Sequence, residues 1–143
     1  MRFMAWATIV LGLAGSLAAP CHAQEVGSQD RPLVKLERNY PNPFNPETTI
    51  PFVLSEELWA EGGRPVVSIR IYNVLAQLVA VPVLLGTGEP LANEELEWNG
   101  TGEYAAYWDG KVRDTNREAA SGVYVYQIQV NGFTESKRMT IIK

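Results

Sequence analysis

Apolar and polar side chains alternate with a period of two along much of the chain. The alternation is clearest over residues 65–72, where Val67, Ile69 and Ile71 share one face and polar side chains separate them. A period of two is that of a β-strand with one buried face. Further strands are predicted at residues 32–37, 48–54, 78–85 and 103–108. Short strands separated by turn signals, with one helical turn at residues 55–61, predict an all-β antiparallel sandwich of about seven strands.

The end of the chain reads as a long β-hairpin. Residues 122–143 form two arms rich in β-branched and aromatic side chains, on either side of Asn131 and Gly132. This pair tolerates the positive φ angles of a two-residue type I′ turn, whose twist suits antiparallel strands. Most chains fray at their ends, so a strand that runs to the last residue is a candidate for function.

Prolines interrupt the strand pattern at several places. Three of them fall within residues 39–46, which we call the proline segment and expect to be a stiff, extended turn anchored by Tyr40 and Phe44. A turn packed on its own domain is favoured there over a proline-rich ligand for a partner's groove. Pro51 predicts an edge or a bulge, and Pro82 breaks the strand over residues 78–85.

The first 23 residues have the layout of a secretory signal peptide. Arg2 is their only charge, an apolar run covers residues 3–19, and small residues lead to a cleavage site after Ala23. Lipidation of Cys21 is the alternative, although Pro20 stands where a small flexible residue is usual. No later run reaches about 18 apolar residues, so we expect export through the periplasm and no transmembrane helix after cleavage.

Two regions are predicted to follow the signal peptide. Residues 24–35 are a flexible leader, and residues 36–143 are one sandwich domain. About 120 residues suit one domain with one core.

Cleavage after Ala23 removes Cys21 and His22, the only cysteine and the only histidine. The mature chain then has no Ser-His or Cys-His pair and none of the usual zinc ligands. We therefore expect no enzyme, no cofactor and no metal. The mature chain has 16 acidic and 11 basic residues, because Arg2, one of the 12 basic residues of the whole chain, is removed with the signal peptide. This acidic balance argues against a nucleic-acid partner.

Five motifs follow one another between residue 39 and the last residue. They are Asn-Tyr-Pro-Asn-Pro-Phe-Asn-Pro at 39–46, Ile-Arg-Ile-Tyr-Asn at 69–73, Trp-Asp-Gly at 108–110, Ser-Gly-Val-Tyr-Val-Tyr-Gln at 121–127 and Lys-Arg-Met-Thr-Ile-Ile-Lys at 137–143. In this order they resemble the C-terminal sorting domain of the type IX secretion system. That domain is similar to the Ig-like domain of the flagellar hook-cap scaffolding protein.

The resemblance implies an Ig-like sandwich that directs exported proteins through the outer membrane to the cell surface. The implied partner is the secretion machinery of the outer membrane, which reads the C-terminal part of such domains. Carried over to this chain, recognition falls on Lys137, Arg138, Met139, Thr140, Ile141, Ile142 and Lys143. The motif residues with an implied structural role are Tyr40, Pro41, Asn42, Pro43, Phe44, Asn45, Pro46, Trp108, Asp109, Gly110, Ser121, Gly122 and Tyr124.

The chain departs from the family pattern in three places. Ala76 stands where a glycine is usual before Gln77, and residues 55–63 and 87–102 are longer than usual. A large cargo domain normally precedes a sorting domain, whereas here the signal peptide leads almost directly into it. The cargo and the oligomeric state stay open.

Three alternative functions remain open beside sorting. The first is an Ig-like periplasmic or cell-surface module that binds protein or glycan. The second is an aromatic sugar-binding platform, built from Trp59, Trp98, Tyr104, Tyr107 and Trp108. The third is a calcium loop at residues 114–118, which lacks the usual glycine and the distant glutamate.

Overall fold

A computed structural model describes residues 31–143, which fold into two antiparallel β-sheets. The strands in this part of the chain are β1 Val34–Leu36, β2 Thr48–Leu54, β3 Val66–Tyr72, β4 Leu78–Ala80, β5 Val83–Leu84, β6 Glu94–Glu95, β7 Glu103–Trp108, β8 Gly122–Val130 and β9 Phe133–Ile141. The predicted signal peptide (residues 1–23) and residues 24–30 of the predicted leader lie outside the described residues.

The first sheet has the strand order β1-β2-β7-β5, and the second has the order β4-β3-β8-β9. The short strand β6 pairs with the start of β3. Every neighbouring pair in the two sheets is antiparallel. The predicted antiparallel sandwich is therefore confirmed, with nine strands in the described part instead of about seven.

The core lies between the two sheets. Val67, Ile69 and Ile71 of β3 have no exposed surface, as their alternation predicted. Strand β2 alternates in the same way, with Ile50 and Phe52 fully buried. Burial of one such side chain contributes about 1.5–3 kcal/mol to stability, so the buried residues of β2 and β3 contribute strongly to the packing of the two sheets.

The apolar run over residues 78–85 is two strands in different sheets. Strand β4 pairs with β3 in the second sheet, and β5 pairs with β7 in the first. Pro82 lies between them, and its carbonyl accepts a hydrogen bond from the N–H of Leu91 at 3.0 Å. The break predicted at Pro82 is thus the point where the chain crosses the sandwich.

Pro51 lies in an interior strand, and the prediction of an edge or a bulge is wrong. Strand β2 pairs with both β1 and β7. The carbonyl of Pro51 accepts from the N–H of Glu37 at 3.0 Å, so Pro51 faces the end of β1. The carbonyl of Glu37, which an N–H at position 51 would bond, accepts instead from the hydroxyl of Tyr126 at 2.7 Å. The missing donor of proline therefore leaves no acceptor unpaired.

The predicted hairpin and the predicted helical turn are both present. Asn131 and Gly132 have φ angles of 47° and 89°, between paired residues Val130 and Phe133. The helical turn is a 3₁₀ helix, Glu56–Gly62. No helix among residues 31–143 has the length and apolar character that a membrane crossing requires.

The sandwich begins with strand β1. Val34 is 1% exposed and pairs with Leu54, and the compact unit is Arg31–Lys143. The strand predicted at residues 32–37 is thus present as β1, and it overlaps the end of the predicted leader, residues 24–35.

Candidate functional site

Strand β9 carries the residues to which the resemblance assigns recognition. It pairs with β8 in one continuous register, from Gly122 opposite Ile141 to Val130 opposite Phe133. Met139 and Ile141 are 1% and 3% exposed and lie in the core. Lys137 and Thr140 are half-buried, and Arg138, Ile142 and Lys143 are exposed. Of the seven candidate residues, two therefore lie in the core and three face solvent.

The proline segment covers the outer edge of the last residues of β9. The N–H of Phe44 donates to the carbonyl of Thr140 at 3.1 Å, and the carbonyl of Phe44 accepts from the N–H of Ile142 at 3.1 Å. The N–H of Thr140 donates to Oδ1 of Asn42 at 3.2 Å. Two motifs far apart in sequence are thus joined by backbone hydrogen bonds.

The side chain of Phe44 begins an aromatic cluster in the core. It is 2% exposed and meets the ring of Trp108 edge-on at 5.7 Å, and Trp108 meets Tyr124 edge-on at 5.9 Å. Three of the five motifs contribute one ring each. Tyr40 is 59% exposed, so the expectation that it anchors the proline segment is wrong: of the two rings, only that of Phe44 points into the sandwich.

The Trp-Asp-Gly turn lies directly under the proline segment. Gly110 has a φ of 80°, and a Cβ at this position would lie 2.0 Å from the carbonyl oxygen of Pro46. Asp109 is exposed, and its Oδ1 accepts from the N–H of Lys111 at 3.0 Å. Only glycine permits this approach, which explains why these two motifs occur together.

A buried polar network fixes the start of the proline segment. Asn39 is 3% exposed; its Nδ2 donates to Oγ1 of Thr48 at 3.0 Å, and its N–H donates to the hydroxyl of Tyr126 at 3.0 Å. The same hydroxyl donates to the carbonyl of Glu37 at 2.7 Å. Burial raises the pKa of Tyr126 above its usual range.

The last residue is held by two contacts. The N–H of Lys143 donates to Oγ of Ser121 at 3.1 Å, and its Nζ lies 3.6 Å from a carboxylate oxygen of Glu118. Strand β9 itself ends at Ile141, two residues before the predicted end. Exposed ion pairs contribute little, about 0–1 kcal/mol, so the ammonium group of Lys143 is available to a partner.

The proposed aromatic platform assembles only in part. Trp59 meets Trp98 edge-on at 5.0 Å and stacks on Tyr104 at 6.3 Å. Burial raises the pKa of Tyr104. Tyr107 bonds instead to the carboxylate of Glu47, and Trp108 belongs to the core cluster around Phe44. Three of the five aromatic residues therefore share one surface.

Acidic side chains of the described residues occur in one groove and in the loop proposed to bind calcium. One groove, of about 510 Å³, contains Glu37, which is half-buried, and Glu103, which is exposed. In the loop at residues 114–118, where a calcium site was predicted, Oδ2 of Asp114 lies 3.4 Å from Nε of Arg113. Residues 31–143 contain no group of three His, Cys, Asp or Glu side chains placed to bind a metal ion.

Sequence patterns did not single out two charged residues, Glu135 on β9 and Arg38 next to it. Oε2 of Glu135 accepts from the N–H of Leu36 at 3.0 Å, which joins β9 to the edge strand of the other sheet. Arg38 lines a groove together with Lys137 and Arg138. Each lies in a short stretch of mixed charge, so only the tertiary arrangement identifies it.

Comparisons with known proteins give a weak structural likeness. No family model and no curated protein matches the chain. A solved structure with partial similarity is the Pseudomonas fluorescens alkylpurine DNA glycosylase AlkC, bound to DNA containing an abasic site analogue. The two chains are 18% identical, with a TM-score of 0.43, and the match covers 78% of this chain and 31% of that protein.

This match corrects one expectation. The sequence argued for a chain that is not an enzyme, whereas the matched protein is a DNA glycosylase. The absence of catalysis is therefore withdrawn as a prediction. The likeness is too low to assign an activity or a ligand to this chain, and the expectation of no nucleic-acid partner stays a prediction.

Proposed function

We propose that the chain is a sorting domain of the type IX secretion kind. In this proposal the secretion machinery of the outer membrane recognises the last strand, and the domain directs the exported protein to the cell surface. The observation that carries it is the edge position of β9, with Arg138, Ile142 and Lys143 exposed at the end of the chain. An edge strand is the part of a sheet that another protein reaches first.

The contacts of the proline segment support a second part of the proposal. Phe44 bonds to Thr140 and Ile142 through two backbone hydrogen bonds that hold the end of β9 in the sheet. Because Phe44 is itself fixed by Trp108 in the core, the backbone that carries the exposed side chains after Lys137 is held in one conformation. A fixed presentation lowers the conformational cost of binding.

The experiment inserts a reporter after residue 30 of the full chain, in a host that has this secretion system. Surface reporter is then measured with and without residues 137–143. The proposal predicts surface delivery only with these residues. Equal delivery by both fusions would contradict it.

The deletion also removes Met139 and Ile141 from the core, so a control for folding is needed. The full-length fusion with Met139→Ala is destabilised through the same core but keeps all exposed recognition side chains. If it is delivered while the deletion is not, loss of the signal explains the result. If both fail together, unfolding explains it and the deletion gives no support to recognition.

A second candidate is an Ig-like surface module that binds protein or glycan. Trp59 and Trp98 favour it, because they line an open groove together with Glu56, Glu57 and Ala60. Half-buried tryptophan beside carboxylates suits a sugar or a peptide. Mass spectrometry of the native protein separates the candidates. A module of this kind accumulates with its end at Lys143, whereas the resemblance to sorting domains implies that their C-terminal part is often removed.

A further inference from the structure

The outer edge of β9 is unpaired over its middle. Thr140 directs both of its backbone groups outward, to Asn42 and to Phe44. The register with β8 is continuous, so the backbone groups of Ser136 and Arg138 face the same outer side. Both residues are exposed, and among residues 31–143 no strand pairs with this side of them.

A groove runs beside this open edge, and we call it the basic groove. It has a volume of about 400 Å³, and its lining residues are Arg38, Asn42, Ser136, Lys137 and Arg138. Three of the five are cations and none is acidic. Within the described part of the chain, none of the three cations forms an ion pair.

The acids nearest in sequence are occupied elsewhere. Glu135 accepts the N–H of Leu36, and Glu37 lies 3.6 Å from Nζ of Lys35. The whole chain has a net charge of −4. The basic groove is therefore a local reversal of the charge of the protein, next to free backbone donors and acceptors.

We propose that the basic groove binds a short, extended, acidic segment of a partner protein as an added strand on β9. The free N–H and C=O groups of Ser136 and Arg138 supply the pairing, and the three cations select carboxylate side chains. The proline segment limits the added strand, because it already occupies the edge at Thr140. This inference rests on the proposed function, since it takes the partner from the secretion machinery.

A second copy of this chain is a poorer occupant. Pairing of two β9 edges brings the cations of both copies, including Arg138, close to one another, and like charges on neighbouring strands repel. The charge of the groove therefore favours an acidic partner over self-association.

The test uses the purified full-length chain and a synthetic peptide of eight residues that alternates glutamate and valine, blocked at both ends. Binding is followed by NMR at low salt. Added-strand pairing predicts that exchange of the Ser136 and Arg138 amides slows about tenfold or more on saturation. The amide of Thr140 already donates to Asn42, so its exchange changes little and serves as an internal control.

Charge-reversing variants test the role of the cations. Arg38→Glu changes the basic groove without touching the proposed recognition residues 137–143, and it is expected to weaken peptide binding about tenfold. Lys35→Glu makes the same change of net charge on β1, outside the basic groove, and changes binding less than about twofold. A peptide with lysine in place of glutamate is expected not to bind.

Several outcomes overturn the inference. They are no binding, equal binding of the lysine peptide, equal effects of the two variants, unchanged exchange at Ser136 and Arg138, or protection of these amides by dimers of the chain alone. Peptide binding is measured in solution and delivery in cells, so the two proposals fail separately. A chain that is delivered to the surface but binds no acidic peptide loses only this inference.

Discussion

The N–H of Phe44 donates to the carbonyl of Thr140 at 3.1 Å, and this bond joins the proline segment to the last strand of the sandwich. The ring of Phe44 lies in the core against Trp108. One residue therefore couples the packing of the core to the conformation of the strand on which recognition is proposed. Stability and presentation of the candidate signal are expected to change together when this residue is altered.

Phe44→Ala is expected to destabilise the domain strongly. The change leaves a cavity beside Trp108, and loss of a buried phenylalanine side chain costs about 3–5 kcal/mol. Tyr40→Ala is the matched control, since Tyr40 lies in the same segment but is 59% exposed, and its effect is expected within about 0.5 kcal/mol. Urea denaturation measures both. Similar losses for the two variants would mean that the ring of Phe44 is not the anchor.

Gly110→Ala is expected to cost more than about 2 kcal/mol, because the added Cβ overlaps the carbonyl of Pro46 and the residue also has a positive φ. Gly88→Ala separates the two causes. Gly88 has a φ of 74°, but nothing lies within 4 Å of the added Cβ, so only the backbone penalty of about 1 kcal/mol applies. The midpoints of chemical denaturation compare the two variants. A smaller loss for Gly110→Ala than for Gly88→Ala would contradict the close approach.

Ala76→Gly is expected to stabilise the domain. Ala76 is exposed and has a φ of 59° in the turn after β3. Relief of the left-handed strain outweighs the added backbone entropy, with a net gain of about 0.5 kcal/mol. Ala60→Gly is the control. Ala60 is exposed and has a φ of −59°, so the change relieves no strain and is expected to lower the free energy of unfolding by about 0.5–1 kcal/mol. A melting temperature of Ala76→Gly below that of the wild type would contradict the proposed backbone strain at Ala76.

The domain is expected to lose stability at alkaline pH, partly through Tyr126. Burial raises the pKa of its phenol in the folded state, whereas the unfolded phenol ionises near pH 10. This contribution to stability is complete below about pH 10 and is lost as the pH rises through the folded pKa. Tyr126→Phe is less stable at neutral pH, because Glu37 and Asn39 lose a hydrogen-bond partner.

The comparison of the two proteins across pH isolates this phenol. The gap in the free energy of unfolding between the wild type and Tyr126→Phe should narrow as the pH rises above about 10. Tyr104, Tyr107 and Tyr124 also have raised pKa values, but they are present in both proteins. A gap that stays constant from about pH 8 to pH 11 would exclude a contribution from Tyr126.

Much of the fold follows from local patterns. The alternation through Val67, Ile69 and Ile71 gives a strand with one buried face, and Asn131 with Gly132 gives the hairpin turn, because both signals depend on neighbouring residues alone. The sandwich class follows from the spacing of such strands. The order of the motifs also assigns the proline segment, Trp108 and Tyr124 to one predicted domain, and their aromatic rings are in contact in its core.

What the sequence could not predict depends on distant partners. A proline in a strand predicts an edge, and the sequence does not show that the hydroxyl of Tyr126 bonds the carbonyl of Glu37 opposite Pro51. Tyr40 and Phe44 are both aromatic residues of the proline segment, and only their direction relative to β9 decides which one is buried. The basic groove joins Arg38 to a strand near the other end of the chain, and no local pattern indicates it.

The measurement that tests the central claim most directly is surface delivery of the reporter fusion carrying Lys137→Ala with Lys143→Ala. Both side chains can be shortened at little cost to stability, since Lys137 is half-buried and the ion pair of Lys143 is exposed. The control is Lys111→Ala with Arg113→Ala, two exposed cations outside β9. We predict an unchanged melting temperature for both double variants and a severalfold loss of surface reporter for the first alone. Equal delivery by both would contradict recognition through β9.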